Sequence, residues 1–335
     1  MSDGMSAETG AGMGEGAMLA EAAGRLFAEL LADWREADAG WTARAWQAVA
    51  EMGLPLALVP EDAGGFGLAT ADALALIRLA GAHALPLPLA ETMIANRLLA
   101  EAGLPLAEGM AAIAADPAQP VAWGRLAGVC AFEPAPGRLA RIAAPAVVEA
   151  GTSLAAQPFD RLALAGGAAD APRAGHALHL WGAAARTLQI AGALETVLAL
   201  TIGHVSERQQ FGRTLSKFQA VQHEIARIGG EVAAASAAAD MAAEAIARPV
   251  TSDPTLAIAA ARVRSGEAVG LAAGIAQQLH GAIGFTREHQ LHRYTTALWA
   301  WREDFGTHRF WTGELGRAAL AAGSTGYWAF VTEAA

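Results

Sequence analysis

The sequence predicts a mainly α protein with a small β domain: helices first, then short strands, then a bundle of four or so long antiparallel helices. Three observations carry this expectation. Residues 19–110 and the chain beyond Trp181 repeat apolar side chains at helical spacing. Between them, prolines 117, 120, 134, 136, 145, 158 and 172 punctuate short apolar runs of strand length. From Lys217 onward, Phe218, Val221, Ile225, Ile228 and Val232 alternate steps of three and four, a stripe that needs a partner helix. The expected boundaries are a disordered Gly/Met-rich tail at 1–18, an N-terminal helical domain at 19–115, a β domain at 116–178 and a helical bundle at 179–335.

In chain order, the first helix is expected over Leu19–Trp34. The second covers Thr42–Met52, where Trp46, Val49 and Ala50 share a face. "LPLALVPEDAGGFGLAT" turns the chain, and Thr70 or Asp72 is placed to cap a helix at Ala71–Gly81. Another helix follows at Leu89–Ala102. "RLAGVCAF", "APAVVEA" and "RLALAG" read as strands. In "RPVTSDPT", Asp253 is expected as N-cap and Pro254 at the first helical position of a helix reaching His280. After a Gly-rich turn, Thr286 is expected to cap the last assigned helix, which runs through Glu303.

The formal charge of −10 argues against nucleic acid or an anionic membrane as partner, since both need basic stripes. A single cysteine, Cys130, excludes an internal disulfide framework and fits a reducing cytoplasm. The first residues lack the basic start and apolar run of a signal peptide. No stretch is expected to reach the roughly 20 apolar residues that span a bilayer; "GLAAGIAQQLHGAIGF" comes nearest and is too short. The expectation is a soluble, cytoplasmic protein.

Two stretches carry candidate chemistry. "SERQQFGRTLSKFQAVQHEIARI" (206–228) joins two helices through a glycine turn, and is either a plain helical hairpin or a place where the Arg208 guanidinium meets a phosphate. "QQLHGAIGFTREHQLHRY" (277–294) ends one helix and begins the next. Small residues there admit a ligand's phosphates to the backbone, or simply terminate the helix. His289 and His292 have a spacing that can ligate metal, but no further Glu or Cys is placed to complete a site, and capping or surface roles suit them better.

Together with "VPEDAGGFGL" (59–68), these motifs resemble the acyl-CoA dehydrogenases, in the same order and over about residues 25–320. The resemblance implies an N-terminal helical domain, a middle β domain and a C-terminal four-helix bundle. It implies FAD as cofactor and an acyl-CoA thioester desaturated between its α and β carbons, a carboxylate taking the α proton as hydride leaves for the flavin. It further implies an oligomer in which the bundle reaches a neighbour's FAD, with an electron-transferring flavoprotein as a further partner. By position, Arg208 would contact the FAD pyrophosphate, Phe211 and Gln219 would lie beside the cofactor, and Gln278 with Gly281 and Ala282 would meet its adenosine-pyrophosphate end. Ala282 replaces the second glycine of the usual pair.

The family's Glu-Gly-Thr catalytic turn falls on Phe305-Gly306-Thr307, so the base position is phenylalanine while Thr307 stays with the cofactor set. Glu303 and Asp304 point roughly 200° and 100° away from residue 305 on a helix turning about 100° per residue. A base on the preceding helix, as in some branches, would fall on Gly182. The flavin-contacting loop, usually Thr-Glu-Pro followed by Gly-Ser-Asp, is here "FEPAPGRL" (132–139), with Phe132 for the threonine and Arg138-Leu139 for the Ser-Asp. The resemblance therefore implies a partner subunit of a heteromeric bacterial acyl-CoA dehydrogenase, of the kind that degrades bulky acyl-CoAs including steroid side chains. Such a subunit lends FAD-clamp residues to a shared site. A self-sufficient homo-oligomer using Glu303 or Asp304 as a displaced base, and a non-enzymatic helical scaffold, are the alternatives.

Overall fold

The computed structural model describes residues 14–34, 38–164 and 168–333. Four helices open it: α1 (Glu15–Ala32), α2 (Ala39–Glu51), α3 (Thr70–Ala82) and α4 (Leu89–Glu101). α1 begins inside the stretch expected as a tail; of that stretch, residues 1–13 lie outside the described residues. Asp38 starts α2 by accepting the Trp41 backbone N–H at 3.0 Å, a cap ahead of the expected Thr42. α3 has no side-chain cap. Thr70 is its first helical residue, and Asp72 instead lies against Gly16 of α1, where an added Cβ would sit 2.4 Å from the Asp72 carboxyl carbon.

The β region holds β1 (Ala111–Ala114), β2 (Val121–Ala122), β3 (Val129–Phe132), β4 (Arg138–Ala143), β5 (Val147–Glu149), β6 (Phe159–Leu162) and β7 (Ala169–Pro172). One sheet runs β1-β3-β4-β7, with β1 and β3 parallel; a second runs β2-β6-β5. The period of two divides the first sheet between two cores. Ile113, Val129, Ala131 and Leu139 join the main core, which includes α4. Ala112, Cys130, Phe132 and Ala140 form a separate small core with Leu162. The sheet begins at Ala111 because the β1 backbone joins the α4 side chains: Thr92 Oγ1 accepts the Ala111 N–H at 2.9 Å. Cys130 is fully buried there, and burial pushes its thiol up to about 12.

The bundle consists of α5 (Leu178–Glu207), α6 (Gln219–Ala247), α7 (Thr255–His280) and α8 (Leu291–Glu303), followed by α9 (His308–Glu333). α5 is long and apolar enough to cross a membrane by length and composition, contrary to the sequence expectation. Its apolar character serves packing instead, because it is enclosed by α3, α6 and α7. α3 and α5 touch backbone to backbone: a Cβ on Gly192 would fall 2.1 Å from the Arg78 carbonyl oxygen. Along α6, Ile228 and Val232 are buried, while Phe218, Val221 and Ile225 stay partly exposed.

Two further caps differ from expectation. α7 starts at Thr255, not Pro254, although Asp253 Oδ1 still accepts the Thr255 N–H at 3.0 Å. α8 starts at Leu291, because residues 281–285 form a 3-10 turn and His289 Nδ1 accepts the Leu291 N–H at 3.1 Å. Thr286 turns back to donate to the Ile283 carbonyl.

Candidate functional site

Two concave regions contain the residues singled out by sequence. The first lies where α5 gives way to a hairpin of β8 (Gln209–Gln210) and β9 (Arg213–Thr214). Its two-residue turn, Phe211-Gly212, has φ of 51° and 80°, a type I′ geometry. A bulky residue with positive φ is strained, by roughly 1–2 kcal/mol. Yet Phe211 is 91% exposed, touching Phe218 edge-on at 6.3 Å.

Beside the hairpin, α7 ends at His280 and Gly281 turns with φ 65°. Arg208, Gln278, Gly281 and Ala282 together line a hollow of about 700 Å³. Ala220 and Val221, from the first turn of α6, line it too, directing the positive end of that helix dipole toward the space. Gln219 precedes them as the first residue of α6 and is exposed. No atom lies within 4 Å of a Cβ built on Gly281, so the backbone there is open to approach. The wall behind carries three imidazoles. His204 and His280 stack at 4.3 Å, and His289 lies 4.9 Å from His280. His280 Nδ1 pairs with the Ala276 carbonyl at 2.8 Å. Burial is the main cause holding both His204 and His280 below the ordinary histidine value, with the neighbouring imidazoles adding to it.

The second region is a cleft of about 580 Å³ between the first strands and the end of α8. Phe305 and Gly306, both with positive φ (53° and 104°), reverse the chain into α9. The Phe305 ring occupies the space above Gly182: a Cβ there would be 2.3 Å from Phe305 Cδ1. The two positions assigned as bases by resemblance are thus in contact, the ring of one filling the place of the other's missing side chain. Thr307 lines this cleft rather than the hollow, and its Oγ1 accepts the Phe310 N–H at 3.2 Å, capping α9.

The neighbouring carboxylates are differently placed. Asp304 Oδ2 pairs with the buried Arg186 at 2.9 Å. Arg186 also binds Glu91 at 2.6 Å and donates to Gln189 at 2.6 Å. Burial opposes the charge of Arg186, but Glu91 and Asp304 outweigh it and hold its pKa above the ordinary arginine value. Arg262, also buried, donates to the carbonyls of Trp301, Arg302, Asp304 and Gly306 at 2.8–3.2 Å. These are the orphan acceptors of the α8 terminus, and a cation there complements the dipole. Burial, chiefly, lowers the Arg262 pKa to about 10. Asp304 is therefore held in a structural ion cluster, and Glu303 is solvent-facing with its nearest cation, Arg302, at 3.6 Å. Sequence reasoning missed Arg186, Arg262 and Glu91. The available signal was arginine inside an apolar helical run, Arg186 in "GAAARTLQIAG" and Arg262 in "AIAAARVRSG".

The FEPAPGRL segment is also committed to structure. Phe132 and Leu139 are buried in strands, Glu133 accepts from Arg173 at 2.8 Å and from the Leu178 N–H at 3.0 Å, and Arg138 pairs with Asp170 at 2.6 Å. A flavin dinucleotide needs groups for its ring edge and a cation for its pyrophosphate. The cleft does not fit: among the described residues lining it none is Lys or Arg, and the loop's polar groups are used elsewhere. The hollow fits the pyrophosphate end, with Arg208, an open glycine backbone and a helix N-terminus on one space.

Comparison with known proteins agrees with this architecture. The family described as "Acyl-CoA dehydrogenase, C-terminal domain" matches residues 173–308. Acyl-CoA dehydrogenase IpdE2 of Mycobacterium tuberculosis is 32% identical over 286 residues, covering 77% of this chain and 80% of that protein. Among solved structures, a variant of the Tcur3481–Tcur3483 steroid ACAD superposes with TM-score 0.77 at 22% identity, covering 93% of this chain and 99% of that one. The ChsE4–ChsE5 complex from Mycobacterium tuberculosis also gives TM-score 0.77, at 21% identity and with 92% and 98% covered.

Proposed function

The chain belongs to the acyl-CoA dehydrogenase family, and from that premise we propose that it is the non-catalytic partner in a heteromeric acyl-CoA dehydrogenase. It holds the FAD of a homologous catalytic chain without abstracting the proton. The observation that carries this is the contact between Phe305 and Gly182: both base positions lack a carboxylate and they pack on one another. Two of the solved structures it superposes on carry paired chain names, Tcur3481–Tcur3483 and ChsE4–ChsE5.

In this reading Arg208 binds the pyrophosphate of the neighbour's FAD, Gln278 and the Gly281–Ala282 turn border its adenosine end, and Phe211 covers the cofactor from the hairpin tip. Bound flavin would supply the hydride acceptor, while this chain orients it and excludes water. The exposed Phe211, Ile283 and Phe285 near the hollow suit burial against a second chain. An acyl-CoA of bulky, steroid-derived type is the proposed substrate of the assembly, and an electron-transferring flavoprotein its proposed electron acceptor. A displaced base is less well supported, since Asp304 is paired with Arg186 and Glu303 faces solvent.

The test is flavin content with and without a co-expressed homologous catalytic chain. The chain alone is expected to be colourless and the pair yellow. Arg208→Ala is expected to weaken FAD retention by the pair about ten- to hundredfold, the loss of one charge-assisted contact of roughly 1.5–3 kcal/mol. A flavin-replete, active homo-oligomer would refute the proposal.

A further inference from the structure

A third recess, of about 510 Å³, lies where the first turn of α8 meets the end of α1, the loop after α3 and the connection between β5 and β6. Neither the flavin clamp nor the base positions use it. Leu31, Pro86, Leu154 and Ala155 give it apolar walls. Its charged lining is mainly basic, in a chain of net charge −10: Arg287 and Arg293 stand against Glu288 alone, with the imidazoles of His289 and His292 beside them. His289 separates the recess from the flavin hollow, its ring 4.9 Å from that of His280 in the hollow's own lining.

Arg293 is the informative residue. Its guanidinium is half-buried, 5.5 Å from the Trp34 ring and 5.2 Å from the Tyr294 ring. Nε is buried without a hydrogen-bond partner, and Nη2 reaches only the Tyr294 hydroxyl, at 3.4 Å. Among the described residues no carboxylate pairs with it, and Glu288 is exposed. The enclosed arginines elsewhere are neutralised: Arg186 by Glu91 and Asp304, Arg173 by Glu101 and Glu133. The uncompensated charge also reaches His83, whose pKa is lowered by burial first and by Arg293 second. A partly desolvated guanidinium with unused donors favours an anion, and its fork matches a phosphate.

We propose that this recess binds a small organic phosphate monoester, with the phosphate on Arg293 and the body of the molecule against Leu31, Pro86 and Leu154. A phosphate dianion is favoured over a carboxylate because two guanidiniums, two imidazoles and the start of α8 share the space. The volume falls within the roughly 300–1,000 Å³ typical of small-molecule sites, more than a bare phosphate fills.

Calorimetry on the full chain tests the site, with 1-naphthyl phosphate as the organic phosphate, 1-naphthol as its neutral counterpart and inorganic phosphate as the anion alone. 1-Naphthyl phosphate is expected to bind saturably and at least about tenfold more tightly than either. Arg293→Met, which keeps an apolar stem between the two rings, is expected to weaken it at least about tenfold. Its urea midpoint should stay the same or rise, because no ion pair is lost. Leu154→Asp, at a lining position that is 70% exposed, adds a like charge and is expected to weaken 1-naphthyl phosphate while leaving 1-naphthol as it was. No saturable binding, equal affinity for 1-naphthol, or binding untouched by either variant would overturn the site. Equal affinity for inorganic phosphate would overturn recognition of the organic body. Arg208→Ala is expected to leave 1-naphthyl phosphate binding unchanged; its loss would place the ligand in the flavin hollow and overturn the site as well.

Discussion

The hollow at the α5–α7 ends and the cleft at the α8 end differ in what their polar groups are doing. Around the hollow, Arg208, Gln219 and Gln278 are exposed, and Phe211 is held out by a strained backbone. At the cleft, Asp304 is paired with the buried Arg186, and the Phe305 ring packs on Gly182. Phe305 at the cleft has a similar positive φ, but its ring is turned onto Gly182, whereas the Phe211 ring is 91% exposed.

The largest effect that would break this contrast is expected at Arg186. With Arg186→Met, Glu91 and Asp304 lose their buried partner, and uncompensated buried charge costs about 3–5 kcal/mol. Urea unfolding should show that loss, and Glu91→Gln with Asp304→Asn added to Arg186→Met should recover most of it. A loss under 1 kcal/mol would mean that Asp304 is not structurally held and that its availability as a base must be reopened.

A smaller effect is expected where Phe305 and Gly182 touch. Gly182→Ala places a Cβ against the Phe305 ring, and overpacking of this kind costs about 1–3 kcal/mol. Phe305→Ala removes the obstacle, so the double variant should be no less stable than Phe305→Ala alone. Additive losses would show that the ring does not occupy the Gly182 space.

Much of this fold was legible because long helices announce themselves by period. Of the expected stripe, Ile228 and Val232 are buried while Phe218, Val221 and Ile225 stay partly exposed, and the proline-punctuated segment formed short strands. What period cannot show is a cap chosen by geometry. Thr286 looked like an N-cap, but residues 281–285 form a 3-10 turn, α8 starts only at Leu291 after Gln290, and the Leu291 N–H is met by His289 Nδ1. At the candidate sites, residue identity exposed Phe305 and Gly182 as departures, yet only the packed chain shows them in contact. Arg186 and Arg262 were hidden for a similar reason. Their partners Glu91, Trp301 and Asp304 are distant in sequence, so no local pattern records the pairing.

The smallest expected effect concerns acid, and it distinguishes the two regions by their histidines. His204 and His280 behind the hollow, and His179 at the cleft, all have folded pKa values below the ordinary histidine value, chiefly through burial. A group of this kind binds its proton more readily when unfolded, so stability is complete above the unfolded histidine pKa and declines as pH falls through it. Thermal melts from pH 7.5 to 5.5 should therefore show a falling midpoint. His204 and His289 face His280, with Arg208 and Glu207 close to His204, and beyond burial the neighbouring imidazoles and Arg208 disfavour an added proton there. His280→Asn, which can keep a donor for the Ala276 carbonyl, should flatten the decline more than His179→Asn, whose site has Glu133 and Glu314 to accept the charge. If His179→Asn gives the larger flattening, the acid-sensitive region is the cleft, and the hollow is the more tightly packed of the two.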